Sequence, residues 1–275
     1  NQTQKEFGGG KGANQAIAAS RLAADTTFIS KVGKDGNANF ILEDFKKAGI
    51  HTQYILTSES EETGQAFITV DEAGQNTILV YGGANMTLSA TDVEMSVDAF
   101  IGADFVVAQL EVPFEAIEQA FKIARKQNIT TVLNPAPAIE LPKSLLELTD
   151  IIIPNETEAE LLTGISINNE SDMKETATYF LDLGISAVLI TLGEQGTYCA
   201  YQEQYKMIPA CNVKAIDTTA AGDTFIGAFL SELNKDLSNL ESAIRLANQA
   251  SSLTVQRKGA QASIPTRKEV EAEYN

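Results

Sequence analysis

Asp217-Thr218-Thr219-Ala220-Ala221-Gly222-Asp223-Thr224-Phe225 is the stretch of this 275-residue chain best equipped for chemistry. Two acids bracket a run of small residues, and apolar Phe225, Phe229, Leu230 and Leu233 follow at helical spacing. Small residues let a backbone approach a ligand, and the first N–H groups of a helix lack intrahelical partners. Around Ala220, Ala221 and Gly222 these features make an anion site, suited to charge developing on a phosphoryl group in transfer. Asp223 stands at its edge, placed to take a proton from an attacking hydroxyl. An Asp/Thr-rich turn that only caps a helix has the same composition, and for a lone Gly-Asp pair it is the better reading.

Other groups are ambiguous when read locally. Gly8-Gly9-Gly10-Lys11-Gly12 lacks the glycine spacing and the Lys-Ser/Thr end of a P-loop. Alone it is a flexible turn before a helix. Glu111 follows the strand Phe105–Ala108 and precedes Pro113, beyond a carboxyl end of the sheet, where open α/β sheets bind ligands. A solvated loop glutamate fits there equally. Asn155 and Glu158, three apart at a helix start, face the same way. They also suit a plain capping pair. Thr191-Leu192-Gly193-Glu194-Gln195-Gly196 ends a buried strand in a glycine-bracketed turn, locally an ordinary hairpin connection.

The elements that position these groups alternate. Ala13–Leu22 reads as a helix, Thr26–Val32 as a strand and Asn37–Lys47 as an amphipathic helix. Gln53–Thr57, Gly64–Val70 and Thr77–Tyr81 are alternating segments, the last two joined by the turn Asp71–Gly74. Phe105–Ala108, Thr131–Asn134, Ile151–Pro154 and Ala187–Thr191 read as buried parallel strands, with helices such as Phe114–Gln127 and Met173–Leu183 between them. Helical patterns over Thr224–Leu233, Leu240–Val255 and from Arg267 close the chain. The expected fold is α/β: a doubly wound, mostly parallel sheet flanked by helices, in one domain over 1–275, with a small β-sheet inserted near residues 50–85.

With 20 basic and 37 acidic residues the net charge is −17, which repels nucleic acid and anionic membranes. Any phosphate site must therefore be local. The two cysteines, Cys199 and Cys211, lack partners at metal-ligand spacing and read as reduced thiols of a cytoplasmic protein. The single His51 precedes a predicted strand with no Cys or carboxylate cluster near it, so a Ser/His/Asp or zinc reading lacks its parts. No apolar run is long enough to span a bilayer.

Phe7-Gly8-Gly9-Gly10-Lys11-Gly12-Ala13-Asn14-Gln15-Ala16 and the Asp217–Leu230 stretch, taken together, resemble the ribokinase branch of the PfkB sugar-kinase family. Asn155-Glu156-Thr157-Glu158, Thr191-Leu192-Gly193 and Lys258-Gly259-Ala260-Gln261 follow in the family's order, so the likeness covers nearly the whole chain. One departure is Ala23, where the family prefers Gly or Ser.

The resemblance implies ATP-dependent phosphorylation of D-ribose, with Asp223 as general base. Gly10, Lys11, Asn14 and Glu111 are then sugar ligands, joined by Ala66 and Ile68 of a lid sheet that includes residues 1–7 and pairs with the lid of a second subunit. Asn155 and Glu158 hold Mg²⁺ largely through water beside the nucleotide phosphates. The backbone of Thr191, Leu192, Gly193, Glu194, Gln195 and Gly196, with Gly222, lines the ATP site, and Asn248 lies by the adenine. Asp217, Thr219, Thr254, Arg257, Gly259 and Ser263 match positions of a K⁺ site. The family's opening strand, with an Asn-x-Asp sugar motif, is not in this sequence, which reads as a chain lacking its N-terminal strand. The alternatives are a family kinase for deoxyribose, fructose or a nucleoside, and a non-catalytic sugar-binding relative.

Overall fold

The structure, a computed structural model, describes residues 8–70 and 76–274, without the side chains of 68–70 and 76–78. The apolar runs form a six-stranded sheet in the order β10-β9-β8-β7-β6-β5. Strands β5 (Phe105–Ala108), β6 (Thr130–Leu133), β7 (Ile151–Ile152) and β8 (Ala187–Thr191) are parallel. Strands β9 (Gly196–Tyr201) and β10 (Gln204–Pro209) add an antiparallel hairpin that periodicity did not single out.

Strand side chains alternate between faces, and here both faces are covered. Val132, Ile151, Ile153 and Leu189 face one cluster, where α8 (Ala221–Glu232), α9 (Leu240–Val255) and α10 (Arg267–Tyr274) contribute Phe225, Phe229, Ile244 and Val270. Leu133, Ile152, Val188 and Ile190 face the other cluster. It is filled from α4 (Phe114–Lys126), α5 (Lys143–Leu146) and α7 (Glu170–Asp182) by Ile117, Phe121, Leu145 and Phe180. The short α6 (Glu156–Thr163) follows β7. The chain is thus doubly wound, as the sequence implied. No helix among the described residues is long and apolar enough to cross a membrane.

The N-terminal part contributes α1 (Lys11–Arg21), β1 (Thr27–Val32), α2 (Gly36–Ala48), β2 (His51–Thr57), β3 (Gln65–Val70), β4 (Asn76–Tyr81) and α3 (Ala90–Met95). The small sheet expected near 50–85 is present as the antiparallel pair β3–β4. Among the described residues β2 pairs in parallel with β1, and β3 pairs with β4 alone, in an antiparallel hairpin. Ile29 and Leu56 pack the β1–β2 pair onto a core cluster around Phe100 and Ile123. His51 opens β2 rather than preceding it, and its Nε2 lies 2.9 Å from Asp25 Oδ1. The expected turn 71–74 and the lid assignment of 1–7 lie outside the described residues.

Two backbone details position the functional helices. Ala23 has φ 77°, a left-handed conformation that a Cβ disfavours, so Gly would be accommodated there more easily. Gly227 of α8 lies against α1 so closely that an added Cβ would come within 2.5 Å of Ala18 Cβ and 2.6 Å of Gln15 O. Overpacking of that kind costs about 1–3 kcal/mol. Gly227→Val is expected to lower the unfolding temperature by roughly 3 °C or more and to cut turnover, because it pushes Asn14 and Gln15 away from α8. Differential scanning fluorimetry and a rate assay check this, and unchanged values in both would reject the close helix contact.

Candidate active site

The close crossing of α1 on α8 brings together residues more than 200 positions apart. Asp223, 8% exposed, sits in the first turn of α8. Asn14 Nδ2 donates to its Oδ2 at 2.8 Å, and Gln15 Nε2 donates to its Oδ1 at 3.1 Å. Burial raises the Asp223 pKa above the ordinary carboxylate value, while these two amides and the nearby Lys11 charge pull it down. A buried carboxylate with neutral donors and no direct ion pair retains basicity that a salt bridge would remove.

Gly10 caps α1 with φ 89°, which suits a residue without a side chain. The Lys11 N–H donates to Glu111 Oε2 at 2.7 Å, so the loop after β5 is tied to the start of α1. Burial raises the Glu111 pKa as well, the Lys11 N–H opposing it. Gly10 and Lys11 thus lie beside Glu111, and Asn14 beside Asp223. Asn14 is 6% exposed, yet its Oδ1 is buried with no hydrogen-bond partner. A buried acceptor left open beside a carboxylate is a place for a ligand hydroxyl.

The start of α8 is shaped for an anion. Ala220 is left-handed at φ 61°, and no side chain caps the helix. The expectation for Ala221 needs correction: its N–H is returned to Thr218 C=O at 3.2 Å, which leaves the adjoining Ala220 and Gly222 amides as the candidates.

On the next strands, Asn155 and Thr191 form an isolated parallel bridge at the ends of β7 and β8. The local alternative for Asn155 and Glu158 is what the structure contains. The Glu158 N–H donates to Asn155 Oδ1 at 2.8 Å, and the Asn155 N–H donates to Glu158 Oε2 at 2.9 Å. Glu158 is nonetheless buried, with its pKa raised by that burial. Each of its oxygens accepts one bond from Asn155 and keeps a lone pair. This hard oxygen set fits a largely hydrated Mg²⁺. No cluster of three or more His, Cys, Asp or Glu side chains occurs among the described residues.

Leu192 leads into a tight turn of Gly193, Glu194 and Gln195, and the Leu192 N–H donates to Gly196 C=O. Gly196, φ 112°, lies so near the Ile208 carbonyl that a Cβ would be 2.2 Å from it. Asn248 is buried and engaged: Thr197 Oγ1 donates to its Oδ1, and its Nδ2 donates to Pro209 C=O. It braces α9 against the β9–β10 hairpin rather than presenting a free amide.

Asp217 accepts from the Thr219 N–H and hydroxyl on Oδ1 and from the Gly259 N–H on Oδ2, which holds its pKa below the usual value. Thr254 directs its hydroxyl to Thr224 Oγ1, and Ser263 donates to Ala260 C=O. Arg257 pairs with Glu269. Backbone carbonyls, Asp217 and the lone pairs left on the Thr219, Thr254 and Ser263 hydroxyls are the oxygens offered to a cation here, a set that fits K⁺. In the hairpin, Ala66 is exposed, and the Ile68 side chain lies outside the described residues.

Three polar residues of the site escaped sequence reading: Gln15, Gln109 and Asn134. Gln109 Nε2 donates to Gln15 Oε1, Gln15 Nε2 to Asn134 Oδ1, and Asn134 Nδ2 to Ile153 C=O. The available signal was a polar residue at the end of an apolar strand (Asn134) and one beside Asn14 at the head of an apolar helix (Gln15). Cys199, by contrast, lies inside the core on β9, where burial pushes its thiol up to about 12.

Comparison with known proteins gives a consistent set of likenesses. A family model described as pfkB family carbohydrate kinase matches residues 1–267. A ribokinase of Staphylococcus aureus (strain COL) is 65% identical over 98% of this chain and 88% of its own length. A Haemophilus influenzae ribokinase is 45% identical over 95% of this chain and 85% of its own length. The structure of an Arabidopsis thaliana ribokinase complexed with ribose and ATP has a TM-score of 0.88 and 33% identity, covering 96% of this chain and 86% of that one.

The raised Asp223 pKa has a consequence for stability. A carboxyl whose folded pKa is raised contributes stability below its unfolded value, and that contribution is lost as pH rises through the folded value. Asp223→Asn is therefore expected to unfold at a temperature roughly 2 °C or more above the parent chain near pH 8, with the gap closing below about pH 4. Thermal unfolding across that range checks it; a variant less stable near pH 8 would show that the carboxylate is not under strain.

Proposed function

The chain belongs to the pfkB family of carbohydrate kinases, and from that premise we propose that it transfers the γ-phosphoryl group of ATP to the primary hydroxyl of D-ribose, yielding D-ribose 5-phosphate and ADP. The observation that carries this reading is the buried Asp223 carboxylate, at an uncapped helix start, beside the open acceptor Asn14 Oδ1. Relatives 65% and 45% identical that are ribokinases, and the likeness to a ribokinase complexed with ribose and ATP, supply the substrates.

Asp223 accepts the hydroxyl proton as the sugar oxygen attacks phosphorus and the bond to the ADP oxygen breaks. Gly10, Lys11, Asn14 and Glu111 hold the sugar. The amides of Ala220 and Gly222 meet the charge on the transferring group. Mg²⁺, when bound, neutralises phosphate charge, and Asn155 with Glu158 would hold its waters. The Thr191–Gly196 backbone lines the nucleotide site, and Asn248 sets the hairpin against which the adenine lies. A cytoplasmic setting belongs to the same reading, in keeping with two free cysteines.

Two finer parts of the reading rest on separate observations. The loop of Asp217, Gly259 and Ser263 offers carbonyl oxygens for K⁺, which would hold the turn before α8 in shape. The β3–β4 hairpin pairs Phe67 with Leu79 and Ala66 with Val80. Phe67 lies 52%, Leu79 69% and Val80 64% exposed, so apolar groups face outward on both sides. Such a patch suits a sugar below and a second copy of the hairpin above.

An ADP-release assay over ribose, deoxyribose, fructose and adenosine is expected to show ribose with the highest kcat/KM. A higher value for another substrate would move the assignment within the family. In that assay Asp223→Asn is expected to lose about 10²–10⁴-fold in kcat, and a variant keeping a tenth of the parent rate would sink the base role. Replacing K⁺ by Na⁺ at constant ionic strength is expected to slow turnover without altering the Mg²⁺ requirement; equal rates would remove the cation from the account. Sedimentation at micromolar concentration is expected to show a dimer that Leu79→Asp converts to monomer, and a monomeric parent chain would refute the hairpin interface.

A further inference from the structure

Gln15 is 2% exposed, and its side chain is fully engaged within the protein. One Nε2 hydrogen goes to Asn134 Oδ1 at 3.0 Å and the other to Asp223 Oδ1 at 3.1 Å, while Oε1 accepts from Gln109 Nε2. Asn134 is buried at the carboxyl end of β6, and its Nδ2 donates to Ile153 C=O at 3.0 Å. A main-chain carbonyl can only accept. Asn134 must therefore turn its NH₂ toward Ile153 and its Oδ1 toward Gln15. Gln15 must in turn present its NH₂, and its Oε1 falls to Gln109. The donor direction of the whole row is set by one carbonyl beyond β7.

We infer that Gln15 and Asn134 are positioning residues for Asp223: their amide row, anchored on Ile153 C=O, fixes the plane of the carboxylate and meets its Oδ1 with a donor only. This rests on the proposed role of Asp223 as base. Row and sugar ligands remain separate, because Gln15 has no hydrogen left to offer a substrate.

The row works against burial, which favours the protonated carboxyl. The charged groups near Asp223 are Lys11, which favours its ionised form, and Glu111 and Glu158, whose charges interact unfavourably with it. Asn14 donates to the other oxygen. Changes at Gln15, Asn134 or Gln109 leave all four in place, so a changed titration reports on the row.

Gln15→Leu is expected to lower kcat roughly tenfold, the scale of one lost hydrogen bond to a charged group. It should move the acid limb of the kcat profile up by about one pH unit, with the KM for sugar and ATP changed less than about twofold. Asn134→Leu should move the limb the same way, and the double variant should move it no further than the larger single one. The Asp223 carboxyl titration followed by carbon NMR, without nucleotide, should shift in parallel. An unmoved limb and unmoved titration in folded Gln15→Leu overturn the inference, as does a raised sugar KM with the limb in place. If Gln15→Leu does not fold, Gln109→Met at a partly exposed site is the deciding variant: a smaller shift in the same direction supports the row, and none overturns it. A parent chain that phosphorylates no sugar would defeat the functional reading, while the NMR titration would still decide the row.

Discussion

Keeping an ionisable carboxylate inside the protein is the constraint on which the rest of this structure depends. Removing a charge from water is costly unless hydrogen bonds replace the lost hydration. Asp223 receives its replacement from α1, through Asn14 and Gln15, and not from a cation. A bonded Lys or Arg would stabilise the charge further, but it would also quench the basicity that proton abstraction needs. The neutral amides are an intermediate solution, and they require α1 to approach α8 more closely than ordinary side chains allow. Gly227 makes that approach sterically feasible.

The same helix reaches other parts of the site. At its start the Lys11 N–H holds Glu111, and near its end Arg21 Nη1 donates to the carbonyls of Gln261 and Ile264. The latter bonds fasten the loop that contains Ser263 and follows Gly259. One rigid element therefore links the residues proposed as sugar ligands, the proposed base and the loop proposed for a monovalent cation. Burial lowers the Arg21 pKa from its ordinary value, the expected direction for a guanidinium taken out of water.

Charge on the molecule as a whole runs against its substrates. A net charge of −17 repels ATP and sugar phosphates, so attraction has to come from local dipoles. The uncapped start of α8, the strand ends bridged at Asn155 and Thr191, and Lys11 are the groups able to supply it at short range. Placing them at the carboxyl ends of parallel strands follows the general geometry of open α/β sheets.

How much of this was visible in the sequence depends on the range of the interaction. The buried strands β5 to β8, the helix following Ala220 and the residues Gly10, Lys11, Asn14, Glu111 and Asp223 were legible, because apolar runs and small-residue clusters are local patterns. The likeness to a family is what favours an anion site over a cap at Gly222-Asp223, and a site residue over a solvated loop glutamate at Glu111. Nothing local announced that β2 would pair with β1, because strand pairing is decided by which faces find a core. Nor did it show that Gln15 bonds Asn134 and Asp223, 119 and 208 positions away. The sequence by itself determined which groups are candidates for chemistry and on which elements they ride. Only the tertiary structure decided how Asp223 is held and where its open acceptor neighbour lies, because donor direction and burial arise from the packing of α1 on α8 and not from residue type.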